Sequence, residues 1–148
     1  MRTRESLPEA AKWLGYAGAI PFFAGALASI PFFAGTLRPF GLTLLLGYGA
    51  IILSFMGGVH WGAAMQRDDP GPGPLGRSVA PSLLALPALL IGGVSGLILL
   101  AAGFMGLLFY DLAETRAGRA PQWYPKLRRP LTAIVVSCLV VGAAAQSF

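Results

Sequence analysis

The stretch Val79-Ala-Pro81-Ser-Leu-Leu-Ala-Leu-Pro87-Ala-Leu-Leu-Ile-Gly92-Gly93-Val-Ser95-Gly96-Leu-Ile-Leu-Leu-Ala-Ala-Gly-Phe-Met-Gly-Leu-Leu-Phe-Tyr110-Asp111-Leu112 runs 34 residues with one charge, at its end. As a single helix it would extend about 51 Å. A hydrocarbon core is about 30 Å thick, so one span would overshoot badly. Two short spans turning near Gly92-Gly93 or Ser95-Gly96 fit instead. That reading decides the topology of the whole chain.

The neighbouring sequence is of the same kind. Of 148 residues, 55% are apolar and 11% charged, from 11 Lys+Arg and 6 Asp+Glu. A soluble domain would carry charge on about a quarter of its positions. None of the 17 charges lies between Pro39 and Gln66, between Ser78 and Tyr110, or after Pro130. Such uncharged runs read as membrane spans. The expected fold is all-α: a polytopic helical membrane protein with five transmembrane helices in one membrane domain over 1–148, at approximately 13–36, 41–65, 78–93, 95–112 and 131–147.

Local signals set the expected boundaries. Ser6-Leu7-Pro8-Glu9 has the spacing of a capping box, placing the first helix start at Ser6. Ile-Pro-Phe-Phe-Ala-Gly occurs at Ile20–Gly25 and again at Ile30–Gly35. A ten-residue offset turns a helix by about 280°, so the copies do not share a face. Pro21 is expected to kink the first helix and Pro31 to lie near its end. A link at Arg38-Pro39 precedes the second span. The Pro/Gly segment Gln66–Arg77 is expected as a non-helical loop without phosphate-binding character, and Pro130 as the first-turn proline of the fifth span. No cleaved signal peptide or organellar import signal is expected from the polar start.

Charge order tests the count. With five spans, one side holds Arg2, Arg4, Lys12, Arg67, Arg77, Arg116, Arg119, Lys126, Arg128 and Arg129, while the other holds only Arg38. The positive-inside rule then predicts a cytoplasmic N-terminus and a translocated C-terminus in a bacterial inner membrane. The net charge of +5 forms no stripe on a folded surface, so nucleic acid is not an expected partner. Anionic headgroups are. The lone Cys138 excludes a disulfide framework.

Chemistry has few places to reside. Ala50, Ser54, Gly58 and Gly62 recur every four residues, a small-residue ridge suited to close helix packing, within this fold or against a partner or second copy. His60, the only histidine, points off that ridge near the end of the second span. Asp111 and Glu114 close the fourth span on the same predicted side. Together these three form a candidate proton relay, or a His/carboxylate metal site that is short of the usual three or four ligands. The plainer alternative has His60 bonding a neighbour at headgroup depth while the acids meet Arg116 or Arg119. No metal or cofactor is expected. In the loop Thr115–Arg129, Trp123, Tyr124 and Arg128 are either an interfacial anchor or the cap of a pocket between spans.

Two function classes follow. The leading expectation is a non-enzymatic accessory or assembly subunit, or a self-associating scaffold, that works by helix packing. The alternative is a small-ligand or ion/proton pathway using His60, Trp61, Asp111 and Tyr124. Both need a spanning protein, and 148 residues show no inverted repeat of the transporter kind.

The segment Tyr48-Gly-Ala-x-Ile-Leu-Ser-Phe-x-Gly-Gly-x-His-Trp-Gly62, with Pro81-Ser-Leu-Leu84, Asp111 and Trp123-Tyr-x-x-Leu-Arg128, resembles an uncharacterised membrane family. That family occurs in proteobacteria and, in mitochondria, as relatives of human transmembrane protein sixty-nine. The resemblance implies a small polytopic inner-membrane protein and no activity. It marks Ser54, Gly57, Gly58, His60, Trp61, Gly62, Asp111, Trp123, Tyr124 and Arg128 as motif positions without an assigned role.

Overall fold

The chain reverses at Gly92-Gly93, where two successive residues have positive φ (63° and 54°). Glycine takes that conformation at little steric cost, so two helices can meet without a loop. α4 (Pro72–Ile91) ends on Gly92 and α5 (Gly93–Arg116) starts from it. Further along the hairpin, a Cβ on Gly96 would collide with the Ala88 carbonyl oxygen, and one on Gly103 would lie 2.8 Å from Leu84. The hairpin closes because small residues occupy those two points.

The computed structural model describes residues 6–68 and 70–148, and among these there is no strand. The other helices are α1 (Glu9–Ala17), α2 (Ile20–Ser29), α3 (Ala34–Met65) and α6 (Tyr124–Ala145). α3, α4, α5 and α6 are each long and apolar enough to cross a membrane. The stretch expected as the first span is two short helices of 9 and 10 residues. Neither reaches the roughly 20 residues a span needs. The break is local, since Gly18 and Ala19 keep right-handed dihedrals. Arg2 and Arg4 lie outside the described residues.

Several expected boundaries move, each for a visible reason. α1 begins at Glu9 with extended Pro8 as its N-cap, so the helix starts three residues after the expected Ser6. The turn after α2 falls at Ile30–Phe33, not at Arg38-Pro39. Ile30 is extended ahead of Pro31 (ψ 133°), as a residue before proline prefers to be. Pro39 lies inside α3. The segment expected to resist helix starts α4 at Pro72, because Pro72 and Pro74 fall in the first turn, where no backbone donor is required. α6 starts at Tyr124, with Pro125 in its first turn and Pro130 inside the helix. Trp123 thus becomes its N-cap, and Arg128 is carried on the helix instead of a loop.

The helices pack around an apolar centre of Phe22, Leu45, Leu53, Leu97, Leu100, Phe104 and Leu139. Glycines set the approach of α3 to its neighbours. A Cβ on Gly41 would lie 2.7 Å from the Ser29 nitrogen, and one on Gly57 would lie 2.6 Å from the Ser78 carbonyl oxygen. The ridge of Ala50, Ser54, Gly58 and Gly62 does not act as one seam. Ala50 is buried and Ser54 half-buried, beside Ser82 and Ala85 of α4. Gly58 and Gly62 are exposed and have no neighbour within Cβ reach. A four-residue step advances a helix by about 400°, so the row drifts roughly 40° per step and leaves the interface. At the far end of the bundle, Arg38 donates from Nη2 to the Ala145 carbonyl, tying the start of α3 to the end of α6.

Candidate functional site

α3 and α5 end, and α6 begins, at the same end of the bundle, which brings His60, Asp111 and Arg128 to one level. The buried face of α3 runs Leu53, Gly57, His60, Ala64, a helical repeat that points the imidazole inward. His60 Nε2 lies 2.6 Å from Asp111 Oδ1, and Arg128 Nε donates to Asp111 Oδ2 at 2.6 Å. Asp111 is 1% exposed, Arg128 6% and His60 9%. Both carboxylate oxygens are therefore engaged by short, charge-assisted contacts in a dry setting. Unpaired, a buried carboxylate would cost several kcal/mol. Three helices, α3, α5 and α6, are joined through one side chain.

A second layer lies one helical turn nearer the end. Glu114 accepts from Arg119 Nε at 2.9 Å and Nη2 at 2.8 Å, and from Arg67 Nη2 at 3.1 Å. Both arginines are partly exposed, so this layer connects the interior to the face that carries the links between α3 and α4 and between α5 and α6. Thr115 donates from its hydroxyl to the Asp111 carbonyl oxygen at 3.0 Å, and Gln122 donates to the Thr115 carbonyl oxygen. The Tyr110 ring lies 4.5 Å from the His60 ring, and the Arg77 guanidinium 5.6 Å from the Tyr110 ring.

The sequence candidates separate accordingly. His60, Asp111 and Arg128 meet directly. Glu114 pairs with Arg119, as the plainer alternative expects, whereas Asp111 meets neither Arg116 nor Arg119. Trp61 is exposed and stands outside the cluster. Trp123 stacks edge-on against Tyr124 (5.9 Å) and packs over Ala19, Leu127 and Leu131. Tyr124 Oη is buried with no hydrogen-bond partner, as are Arg128 Nη2 and Thr132 Oγ1. Thr132 and Tyr110 are site residues that the sequence reading missed. Thr132 had a findable signal, since it lies four residues after Arg128 and so on the same helix face. Among the described residues no group of three or more His, Cys, Asp or Glu side chains could hold a metal.

Long apolar helices around a buried charged cluster define a multi-span helical membrane protein. The sequence comparisons place it more closely. Residues 7–144 match a family described as "Protein of unknown function (DUF3429)", and the chain belongs to that family. It is 35% identical over 145 residues to transmembrane protein 69 of Xenopus tropicalis, covering 95% of this chain and 56% of that protein. The chain thus spans little more than half the length of this relative. No solved structure matches it.

Proposed function

We propose that the protein is a non-enzymatic binding protein of a bacterial cytoplasmic membrane, and that the His60–Asp111–Arg128 cluster is a site reached from one side only. The observation that carries this reading is the clamping of both Asp111 oxygens by His60 and Arg128 inside the bundle. Intramembrane ionisable groups that pair with one another commonly mark ligand or proton sites. The Glu114–Arg67–Arg119 layer supplies a polar approach from the end that bears the basic turns. In the other direction the buried core is Leu53, Phe104, Leu100, Leu45, Leu97 and Leu139. A crossing route needs polar groups along its length, and that core supplies none. One-sided binding therefore fits better than a through-going ion or proton pathway.

In this reading α1 and α2 together make a fifth, broken pass. The end with the basic turns faces the cytoplasm and meets anionic headgroups. Proteoliposomes under an imposed pH gradient test the one-sidedness. The gradient is expected to decay no faster than in protein-free vesicles. A collapse that Asp111→Asn abolishes would replace the binding site with a pathway.

A second reading, an accessory subunit or self-associating scaffold, is favoured by the outward Gly58 and Gly62 beside exposed Trp61. Small residues on a lipid-facing helix allow close approach of another helix. Size analysis in mild detergent tests it: Gly58→Leu with Gly62→Leu should dissolve any dimer or co-purifying complex. A strictly monomeric wild-type particle with no partner would remove it.

A further inference from the structure

Arg128 spends only part of its hydrogen-bonding capacity on Asp111. Its Nη2 has no partner, although the residue is 6% exposed, and Thr132 Oγ1, one turn further along α6, is also unpartnered at 1% exposure. Both residues line a cavity of about 150 Å³ between α1, α2, α3, α5 and α6. A buried donor without an acceptor costs about 1–3 kcal/mol, so two at one cavity call for a ligand or ordered solvent. The rest of the lining is almost wholly apolar and includes Leu14, Phe22, Phe55 and Phe104. Solvent would satisfy the donors but not those walls.

The mouth of the cavity indicates where a ligand would come from. Leu14 of α1 and Phe55 of α3 are both on its lining and both exposed on the outer surface of the bundle. α1 leans on Leu127 and Leu131 of α6, and the opening lies between α1 and α3. That surface is the one a bilayer covers. Arg128 is in the second turn of α6, so the donors lie about 6 Å in from the helix start. This is the depth at which polar heads give way to acyl chains.

Charge narrows the class. Arg128 is the only charged residue on the lining, and Asp111 already pairs with it. An anionic head would leave a net negative charge in the interior unless a proton were taken up with it, whereas a neutral acceptor requires no such change. Resting on the reading of this cluster as a binding site, we infer that the cavity is a lateral-entry site for a lipophilic molecule with a neutral carbonyl head. The carbonyl oxygen accepts from Arg128 Nη2 and Thr132 Oγ1, and the apolar body lies against Phe22 and Phe104 and leaves between α1 and α3. A space of this size suits a small ring or a chain end. Quinone rings and acyl esters both present this chemistry.

The test uses the full chain in nanodiscs, titrated with decylbenzoquinone, methyl decanoate and decane, with bound probe per chain read by native mass spectrometry. At least one carbonyl probe should bind one per chain, and the tighter of the two identifies the source. Thr132→Val should weaken that binding about tenfold, the value of one hydrogen bond, without lowering the unfolding midpoint, since the hydroxyl it removes is unpartnered. Val135→Phe, which fills the cavity, should abolish it. Decane should not discriminate Thr132→Val from wild type. The inference is overturned if neither carbonyl probe binds, if Thr132→Val leaves their affinity unchanged, or if decane binds as tightly as they do. Any of those results in vesicles that hold a pH gradient removes the lateral site alone. Collapse of the gradient through Asp111 removes the one-sided reading beneath it.

Discussion

Asp111 and Glu114 stand three residues apart on one helix, yet they lie in two different electrostatic regions. Asp111 meets one histidine and one arginine, both buried, and no partner that reaches solvent. Glu114 meets two arginines that are partly exposed. The same chemistry, moved one turn toward the helix end, exchanges two buried partners for two that reach solvent. Depth sets the consequence: desolvation makes the inner pair costly to break, while water and ions screen the outer one.

The contrast can be broken at its strongest point first. Asp111→Ala should cost about 3–5 kcal/mol in unfolding free energy, because it strands the Arg128 charge in the interior. Reversible unfolding in mixed micelles measures it, and a loss below about 2 kcal/mol would place Asp111 in the outer layer. Adding Arg128→Met to Asp111→Ala should recover part of that loss, with a coupling of about 0.5–3 kcal/mol, since the stranded charge is then removed. Strict additivity would mean that the two side chains act independently. Glu114→Gln should cost less, about 1–2 kcal/mol, because the carboxylate is buried but both arginines it leaves behind reach solvent. The smallest effect sharpens the comparison: raising salt from about 10 mM to 0.5 M should erase most of the Glu114→Gln difference and leave that of Asp111→Ala. Equal salt sensitivity at both positions would abolish the distinction between layers.

The sequence disclosed these regions unevenly. Membrane character and the Gly92-Gly93 reversal were legible because both depend on local quantities, run length and glycine conformation. Helix ends were not, as the repeated hexapeptide demonstrates. Ile20–Gly25 opens α2, whereas Ile30–Phe33 makes an extended residue and a 3-10 turn. Identical residues part because the surrounding chain differs, which no local rule sees. Pro72 and Pro74 misled in the same way, since proline opposes a helix interior but not its first turn. His60, Asp111 and Arg128 could be singled out as rare ionisable groups in apolar sequence. Their convergence could not, because it depends on α6 starting seven residues before the expected Leu131 and carrying Arg128 inward. Thr132 stayed unnoticed because a threonine in an apolar helix carries no charge to mark it.

The proposed binding site requires the inner cluster to be reached from the turn-bearing face while the leucine core beyond it is closed. Cysteine accessibility tests this most directly. In a Cys138→Ser background, His60→Cys and Leu53→Cys are compared in oriented vesicles with a small membrane-impermeant methanethiosulfonate applied to each side. Modification is expected at position 60 only from the side that carries the links between α3 and α4 and between α5 and α6, and at position 53 from neither side. Position 60 as unreactive as position 53 would show a sealed structural lock, and reaction at both from both sides would show a route across the membrane.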